Sequence, residues 1–258
     1  MTTVIALANQ KGGVGKTTTA INLGAALARH GRRVLIFDFD PQANSTAGLG
    51  MRPGETQPTA YEVLLATATI ADATVATPVA GLAIVPATPA LAGAEVELVP
   101  MMAREFRLKR ALDQARGQHD YILIDCPPSL GLLTVNALAA ADEVIVPVQC
   151  EYLALEGLGQ LTSTLELVRR NLNPGLRLRG LLLTMFDGRT NLSQQVADEV
   201  RAHFANTFRT VIPRSVRLSE APSHGLSIFQ YDPSSRASAA YDALAEELIA
   251  GSRTEVPA

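Results

Sequence analysis

The sequence predicts an α/β protein with a doubly wound, mostly parallel β-sheet and helices on both of its faces. Short apolar runs rich in Val, Ile and Leu recur along the chain, and their apolarity is continuous rather than alternating. Continuous runs are typical of strands buried on both faces, as in a parallel sheet. Longer stretches of helical character separate the runs, and strands alternating with helices indicate right-handed crossovers. At 258 residues and 47% hydrophobic content, the chain can bury one large core.

The apolar runs give the candidate strands, and the stretches between them give the candidate helices. The candidate strands are residues 3–8, 33–38, 82–87, 121–125, 143–148, 178–184 and a short run at 210–213. Two helices are the clearest. One covers residues 17–31 and has Gly31 placed like a helix stop, and the other covers residues 151–175 and ends in Asn-Pro-Gly.

We expect a single domain over residues 1–258. Segment 51–78 is the least regular, with Gly and Pro early and many Ala and Thr later. We interpret it as a loop and small helices over one edge of the sheet, not as a linker between domains. The polar C-terminal tail, about residues 251–258, is expected to fray.

The compartment is predicted from the first residues and from the cysteines. The chain opens on an apolar run without a basic leader. Its two cysteines, Cys126 and Cys150, have apolar neighbours and no metal-type spacing, so neither a disulfide framework nor a zinc site is indicated. These features favour a soluble, cytoplasmic protein.

Charge is unevenly distributed along the chain. The net charge of −3 argues against a whole-protein affinity for nucleic acid. Residues 161–220, however, hold nine arginines and five acidic residues, a net charge of +4. That segment is either a locally basic face or a set of solvated helix surfaces, and both interpretations stay open at this point.

A glycine-rich loop follows the first apolar run directly. The sequence NQKGGVGKTTTAINLG has the order of strand, loop and helix that a phosphate-binding loop requires. Glycines let backbone N–H groups close around phosphate oxygens, and the helix N-terminus adds a favourable dipole. The loop departs from the standard P-loop pattern, because Gln10 stands where its first glycine is expected.

Lysine usage indicates that the loop has a special function. The chain has 22 lysines and arginines, of which only three are lysines: Lys11, Lys16 and Lys109. Two of the three lie within this loop. A compact ammonium group with rotatable donors is therefore needed there, in a chain that uses arginine almost everywhere else.

Acidic residues follow two of the candidate strands. Asp38 closes the run at 33–38, Asp40 follows two residues later, and Asp125 closes the run at 121–125. The carboxyl ends of parallel strands meet at one edge of a sheet, beside the phosphate loop. Because Asp38 and Asp40 are two residues apart, they would point to the same side of an extended chain. Nucleotide hydrolysis needs such acids near Mg²⁺ and near the attacking water.

These motifs together resemble one known family. KGGVGKTT, FDFDPQ, ILIDCPPS, PVQCEYLALEG, LTMFDGRTNL and VIPRSVRLSEAPSHG are similar to segments of the ParA-type chromosome-partitioning ATPases, close to the Soj branch. They span residues 11–225, most of the chain. The loop alone would also admit Min-type septum-positioning ATPases and nitrogenase-type iron proteins. The implied fold is that of a P-loop NTPase with a deviant Walker A motif.

The resemblance implies an ATP site that is completed by dimerisation. Lys11 would reach the nucleotide of a partner subunit in a sandwich homodimer, and Lys16 would hold the β and γ phosphates. The remaining loop residues implied in nucleotide binding are Gly12, Gly13, Val14, Gly15, Thr17 and Thr18. Thr18 would contact the α-phosphate. Glu151 is similar to a residue that contacts ribose across the dimer, and Pro213 lies in the segment that packs on adenine.

The resemblance also implies the metal site and the catalytic group. Thr17 would bind Mg²⁺ directly, while Asp38 and Asp125 would act through the metal's water shell. Asp40 would orient and activate the attacking water. With Lys11 and Lys16, Asp40 completes the set of implied catalytic residues.

Non-specific DNA binding is a further implication. Arg189 and Arg217 match arginines that the family uses on DNA, and both fall in the segment of net charge +4. Contacts to phosphate do not read sequence, so the expected binding is non-specific and salt-sensitive. The implied protein is a slow, Mg²⁺-dependent ATPase on the nucleoid that segregates chromosomes or plasmids. A centromere-binding ParB-type partner would stimulate its hydrolysis.

Features of related proteins that this sequence lacks limit the alternatives. Only about eight residues precede the loop, so an N-terminal operator-binding helix-turn-helix is not expected. The C-terminal sequence is acidic rather than basic, which argues against stable membrane attachment of the Min type. No cysteine near residues 85–98 pairs with Cys126, so an iron–sulfur cluster is not supported. A cargo- or septum-positioning ATPase of the same fold and an ATP-switched scaffold protein remain as alternatives.

Overall fold

The computed structural model describes residues 2–54, 56–151 and 154–253. Within them, seven strands form one sheet: Thr3–Leu7 (β1), Val34–Asp38 (β2), Val75–Ala76 (β3), Leu82–Val85 (β4), Tyr121–Asp125 (β5), Glu143–Gln149 (β6) and Arg177–Thr184 (β7). Their order across the sheet is β3-β4-β2-β5-β1-β6-β7. All neighbouring strands pair in parallel except β3 and β4. The prediction of a mostly parallel sheet is confirmed.

Helices connect the strands and cover both faces of the sheet. In chain order they are Lys16–Arg29 (α1), Asn44–Gly48 (α2), Ala60–Leu65 (α3), Ile70–Ala73 (α4), Leu91–Glu97 (α5), Arg107–Ala115 (α6), Leu132–Ala140 (α7), Ala154–Asn171 (α8), Asn191–His203 (α9), Val216–Glu220 (α10), Ile228–Tyr231 (α11) and Arg236–Arg253 (α12). Short 3₁₀ turns lie at Arg104–Phe106 and Ala221–His224. No helix among the described residues is both long and apolar enough to cross a membrane.

Alternate residues of the central strands bury into two separate cores. In β1, Val4 and Ala6 belong to the core under α3 to α9, whereas Ile5 and Leu7 belong to the core under α1, α11 and α12. Both faces of β1 are therefore excluded from solvent, which is why apolar and polar residues do not alternate in its sequence. Along α12 the apolar residues, among them Tyr241 and Leu244, are buried in the second core.

The strand order creates a crevice beside the end of β1. This strand lies between β5 and β6, and the chain leaves it in one direction toward β2 and later in the other toward β6 and β7. Ligands of open α/β sheets bind at such a switch point, outside the carboxyl ends of the strands. In the same place Asp38, at the end of β2, is paired in register with Asp125, at the end of β5.

The structure differs from the predicted elements in three places. Residues 210–213 do not form a strand: only an isolated bridge joins Phe186 to Pro213, and a proline has no N–H to continue a ladder. Segment 51–78 holds α3 and α4 as predicted, but it also contributes the short antiparallel strand β3. Helix α12 continues to Arg253, past the start of the tail predicted at about residue 251, and residues 254–258 lie outside the described part.

Candidate active site

The loop between β1 and α1 is shaped by two glycines with positive φ. Gly13 has φ of 73° and Gly15 has φ of 91°. Side chains rarely adopt this conformation, so glycine is needed at both positions. Gly15 is also the N-cap residue of α1. At this end of the helix the first backbone N–H groups have no intrahelical acceptors, and no glycine side chain covers them. The loop therefore leaves these N–H groups free to bind an anion.

Lys16 is folded back over the loop. Its Nζ donates to the carbonyl oxygens of Asn9 at 3.1 Å and Lys11 at 3.2 Å, and the residue is 6% exposed. Burial lowers the pKa of Lys16, and the nearby Asp125 and Asp40 carboxylates oppose that shift. The ammonium group is thus fixed at the centre of the loop, close to acidic side chains.

Asn9 and Thr184 brace the loop, although the sequence did not point to either. Asn9 Nδ2 donates to the Pro147 carbonyl at 2.7 Å, and Asn9 Oδ1 accepts from the backbone N–H of Lys11 at 3.0 Å. Thr184 Oγ1, at the end of β7, donates to the Val14 carbonyl at 2.8 Å. Both residues lie at strand ends beside the loop, and that position is the only sequence signal for them.

A cavity of about 730 Å³ opens over the loop. Its floor is made by the loop, and one wall is made by the segment after β7. Of the predicted site residues, the cavity is lined by Gly12, Gly13, Gly15, Lys16, Thr17, Thr18, Asp40 and Pro213. Its volume falls within the usual range for small-molecule sites.

Asp38 and Asp125 lie under the cavity and are fully buried. Burial raises the pKa of both carboxyls, and the charge of Asp125 raises that of Asp38 further. Asp125 Oδ1 has no hydrogen-bond partner of good geometry among the described residues, although the nearby Thr17 side chain lowers the pKa of this carboxyl. A buried carboxylate oxygen without a partner is costly unless a cation or ordered water completes it.

Asp40 differs from Asp38 in its surroundings. The two were expected to point to one side of an extended chain, but β2 ends at Asp38, so strand alternation does not extend to Asp40. Asp40 lines the cavity, and its Oδ1 accepts from the backbone N–H of Gln42 at 2.9 Å. Its backbone N–H lies 3.3 Å from Asp38 Oδ1.

Helix α2 supplies hydroxyl groups to the two buried carboxylates. Ser45 Oγ donates to Asp125 Oδ2 at 2.7 Å. Thr46 donates to Asp38 Oδ2 from its backbone N–H at 2.8 Å and from Oγ1 at 2.6 Å. The sequence motifs did not identify either residue, although the hydroxyl pair directly after FDFDPQAN is a usable signal.

The remaining predicted residues lie outside this cavity. Glu151 is exposed, and its Oε1 accepts from Gln149 Nε2 at 2.6 Å. Arg189 precedes α9 and its side chain is 89% exposed, while Arg217 lies on α10 with 56% exposure. Arg189 pairs with Asp187 at 2.7 Å, and Arg217 pairs with Glu220 at 2.9 Å. Both arginines are therefore on the surface, and each has a carboxylate beside it.

Known proteins share this sequence over nearly its whole length. A family model described as an AAA domain matches residues 2–178. The sporulation initiation inhibitor protein Soj of Bacillus subtilis is 56% identical over 96% of this chain and 98% of its own length. The chromosome partitioning protein ParA of Myxococcus xanthus is 55% identical over 95% of this chain and 87% of its own.

Solved structures of similar proteins have the same fold as this chain. A Mycobacterium smegmatis protein described as cobyrinic acid a,c-diamide synthase, with bound ATP analog and magnesium, has a TM-score of 0.85 at 41% identity and covers 99% of this chain and 98% of that one. The septum site-determining protein MinD of Pyrococcus horikoshii, complexed with Mg-ADP, has a TM-score of 0.79 at 28% identity, covering 99% and 100%.

Proposed function

The chain belongs to the Soj/ParA family of chromosome-partitioning P-loop ATPases, and from this premise we propose that it is an ATP-driven DNA-partitioning switch. In this proposal, ATP closes two copies into a homodimer, the dimer binds DNA without sequence preference, and hydrolysis releases it. The observation that carries the proposal is the arrangement around the loop: Lys16 buried over it, Lys11 at its head, and Asp40 on the cavity wall.

The residues present fit Mg²⁺ beside a triphosphate. Asp125 Oδ1 is buried without a hydrogen-bond partner among the described residues, and the Thr17 side chain acts on the same carboxyl and lowers its pKa. Thr17, in the first turn of α1, also lines the same cavity as the loop glycines. Oxygen donors are the ligands that Mg²⁺ prefers, and it keeps several waters when it binds beside phosphates. Thr17 would bind the metal directly, with Asp38 and Asp125 holding its waters. The bound metal would supply charge neutralisation on the phosphate oxygens.

The chain's own residues then position and stabilise the reacting groups. Backbone N–H groups from Gly12 to Thr18 would hold the phosphate oxygens, and Lys16 Nζ would exchange its two carbonyl acceptors for β and γ oxygens. Asp40 would accept a hydrogen bond from the attacking water and orient it at the γ-phosphorus. Phosphoryl transfer asks for little more than this positioning and electrostatic stabilisation.

Dimerisation would complete the site through Lys11. Its side chain is partly exposed at the head of the loop, and its backbone is fixed by Asn9. A lysine held there is suited to reach across to the phosphates of a facing copy. Glu151, exposed on the same chain, would contact the ribose of the facing nucleotide, while Pro213 would pack on the base in its own subunit.

DNA binding would use Arg189 and Arg217. Both are exposed and lie in the segment of net charge +4. Arginine on phosphate gives affinity without sequence reading, and that affinity falls with salt. A dimer doubles the number of such contacts, so ATP-dependent dimerisation would itself switch DNA affinity. We propose a nucleoid-associated, cytoplasmic protein whose turnover a ParB-type partner stimulates, with a chromosome or plasmid as cargo.

Two related activities are less well supported. A septum-positioning role would follow MinD, but identity to MinD is 28% against 56% to Soj. Diamide synthesis that draws nitrogen from glutamine would need a reactive thiolate. Both cysteines are buried, and burial raises the pKa of each thiol.

The proposal is tested by the oligomeric state together with turnover. Sedimentation velocity with ADP, with ATP and with ATP on Asp40→Ala should give monomer, a transient dimer and a persistent dimer respectively. Addition of a ParB-type protein that carries a basic N-terminal peptide should raise wild-type turnover and leave Asp40→Ala inactive. A protein that stays monomeric with ATP in the Asp40→Ala variant would contradict the proposal.

A further inference from the structure

The short helix α2 contacts the two buried carboxylates, and these contacts have no role in the nucleotide binding or DNA binding proposed above. It follows Asp40 by four residues, and its Ser45 and Thr46 are 0% and 2% exposed. Small hydroxyl residues at a helix start usually cap the helix itself. Here no side-chain cap is made at this helix start, and both hydroxyls point to carboxylates instead.

The direction of the hydrogen bonds around Thr46 is fixed by its second partner. The backbone N–H of Ala87 donates to Thr46 Oγ1 at 2.9 Å. Because that N–H can only donate, the hydroxyl proton of Thr46 is directed to Asp38 Oδ2. Asp38 Oδ2 thus accepts two hydrogen bonds from one residue, which fixes the orientation of this buried carboxylate.

Ser45 acts on only one oxygen of Asp125. Its hydroxyl donates to Oδ2 at 2.7 Å, while Oδ1 of the same carboxylate has no partner among the described residues. Holding one oxygen leaves the other with a fixed orientation. This is how an outer group positions a metal-facing ligand.

Helix α2 is itself held in place from its outer side. A Cβ added at Gly48 would lie 2.7 Å from Ile21 Cδ1, and one added at Gly225 would lie 2.7 Å from Gly50 Cα. The second distance shows that the backbone just after α2 packs closely on the backbone of Gly225, with no space for a side chain between them. The two hydroxyls therefore have defined positions relative to the strand ends.

We propose that Ser45 and Thr46 are positioning residues for the Mg²⁺ site: Ser45 orients Asp125, and Thr46 orients Asp38. This inference rests on the proposed ATPase function, because it concerns the metal that accompanies the nucleotide. It predicts that these hydroxyls set the Mg²⁺ dependence of nucleotide binding while the metal-free affinity is unaffected.

The test is a Mg²⁺ titration of fluorescent ADP binding, which needs neither hydrolysis nor a partner. Ser45→Ala and Thr46→Val should each raise the Mg²⁺ concentration for half-maximal enhancement of binding by about tenfold, the lower end of the effect of outer-shell partners. Binding in EDTA should match wild type. Thr46→Ser keeps the hydroxyl and should restore the wild-type Mg²⁺ dependence.

A matched control separates positioning from general destabilisation. Ser227 is also fully buried, and its hydroxyl bonds Gln230 Oε1 at 3.1 Å on α11. Ser227→Ala should lower thermal stability without changing the Mg²⁺ dependence. If Thr46→Val fails to fold, the Mg²⁺ dependence of Ser45→Ala still tests the proposal, because that substitution removes a single hydrogen-bond donor.

The outcomes for the inference and for the proposed function are distinguishable. Wild-type Mg²⁺ dependence in folded Ser45→Ala and folded Thr46→Val would overturn the positioning role, whatever the protein does with DNA. If the wild-type protein does not bind ADP, with or without Mg²⁺, both this inference and the proposed function are overturned.

Discussion

Arg189 and Asp187 form a two-point ion pair on the surface, with Arg189 Nε 2.9 Å from Oδ1 and Nη2 2.7 Å from Oδ2. The guanidinium of Arg189 holds the pKa of Asp187 at about 2, well below its usual range. The arginine proposed to meet DNA is thus partly neutralised by a carboxylate two residues away. DNA phosphate would have to compete with that carboxylate or share the guanidinium with it.

The first prediction concerns this pair. Asp187→Asn removes the competing charge and keeps the shape of the side chain, so non-specific DNA binding by the ATP dimer should become tighter. Arg189→Ala should weaken binding and lower the salt slope by about 1 per protomer. Fluorescence anisotropy on a random duplex measures both. Weaker binding by Asp187→Asn would show that the carboxylate orients Arg189 rather than competing with DNA.

The second prediction separates the two loop lysines. Lys16→Ala removes a buried ammonium that bonds the loop carbonyls, so affinity for ADP and ATP should both fall. Lys11→Ala removes a partly exposed side chain, so ADP affinity should stay near wild type while the ATP dimer is lost. Equilibrium binding of fluorescent ADP and sedimentation with ATP give the two readouts. Equal loss of ADP affinity in both variants would place Lys11 in its own subunit's site.

The third prediction concerns two glycines with nearly equal backbone angles. Gly31 has φ of 74° and open space where a Cβ would stand, while Gly225 has φ of 69° and the backbone of Gly50 at 2.7 Å. Gly31→Ala should cost about 1 kcal/mol of unfolding free energy from strain alone. Gly225→Ala should cost about 1 to 3 kcal/mol more from overpacking. Urea denaturation measures both costs. Equal costs would mean that the backbone around Gly50 and Gly225 moves apart without a cost in free energy.

The fourth prediction concerns thiol chemistry and pH. Burial raises the pKa of Cys150 to about 11 and raises that of the fully buried Cys126 as well. Only a thiolate reacts with iodoacetamide, so the native protein should be labelled slowly even at pH 9, whereas protein in urea should take two labels. Because folding raises the pKa of these thiols, their contribution to the free energy of unfolding is fully present below pH ~8.5. That contribution is lost as pH rises toward 11. Rapid native labelling at pH 8 would contradict the described burial.

Local sequence patterns predicted the parts of the molecule that depend on neighbouring residues. The strand, loop and helix around Lys16 are contiguous, and continuous apolar runs identified the buried strands through the two-sided burial of residues such as Ile5 and Ala6. Asp38 and Asp125 could be brought together in advance, because parallel strands end at one edge.

The missed features depend on residues distant in sequence or on turn geometry. Ser45 meets Asp125 across 80 residues, and nothing in the local pattern fixes that contact. Residues 210–213 have strand-like composition, but Pro213 limits pairing and only a single bridge forms. The pairing of Arg189 with Asp187 depends on the turn between β7 and α9, which composition does not determine.

The central claim is that ATP switches this protein onto DNA, and it is tested most directly by binding to a random-sequence duplex across a salt series. Wild type with no nucleotide, ADP or ATP is compared with Asp40→Ala and ATP. We expect tight, salt-sensitive binding with ATP alone, and longer-lived binding by Asp40→Ala because hydrolysis no longer releases the dimer. An ATP-loaded dimer that forms but does not bind DNA at any salt concentration would contradict the account.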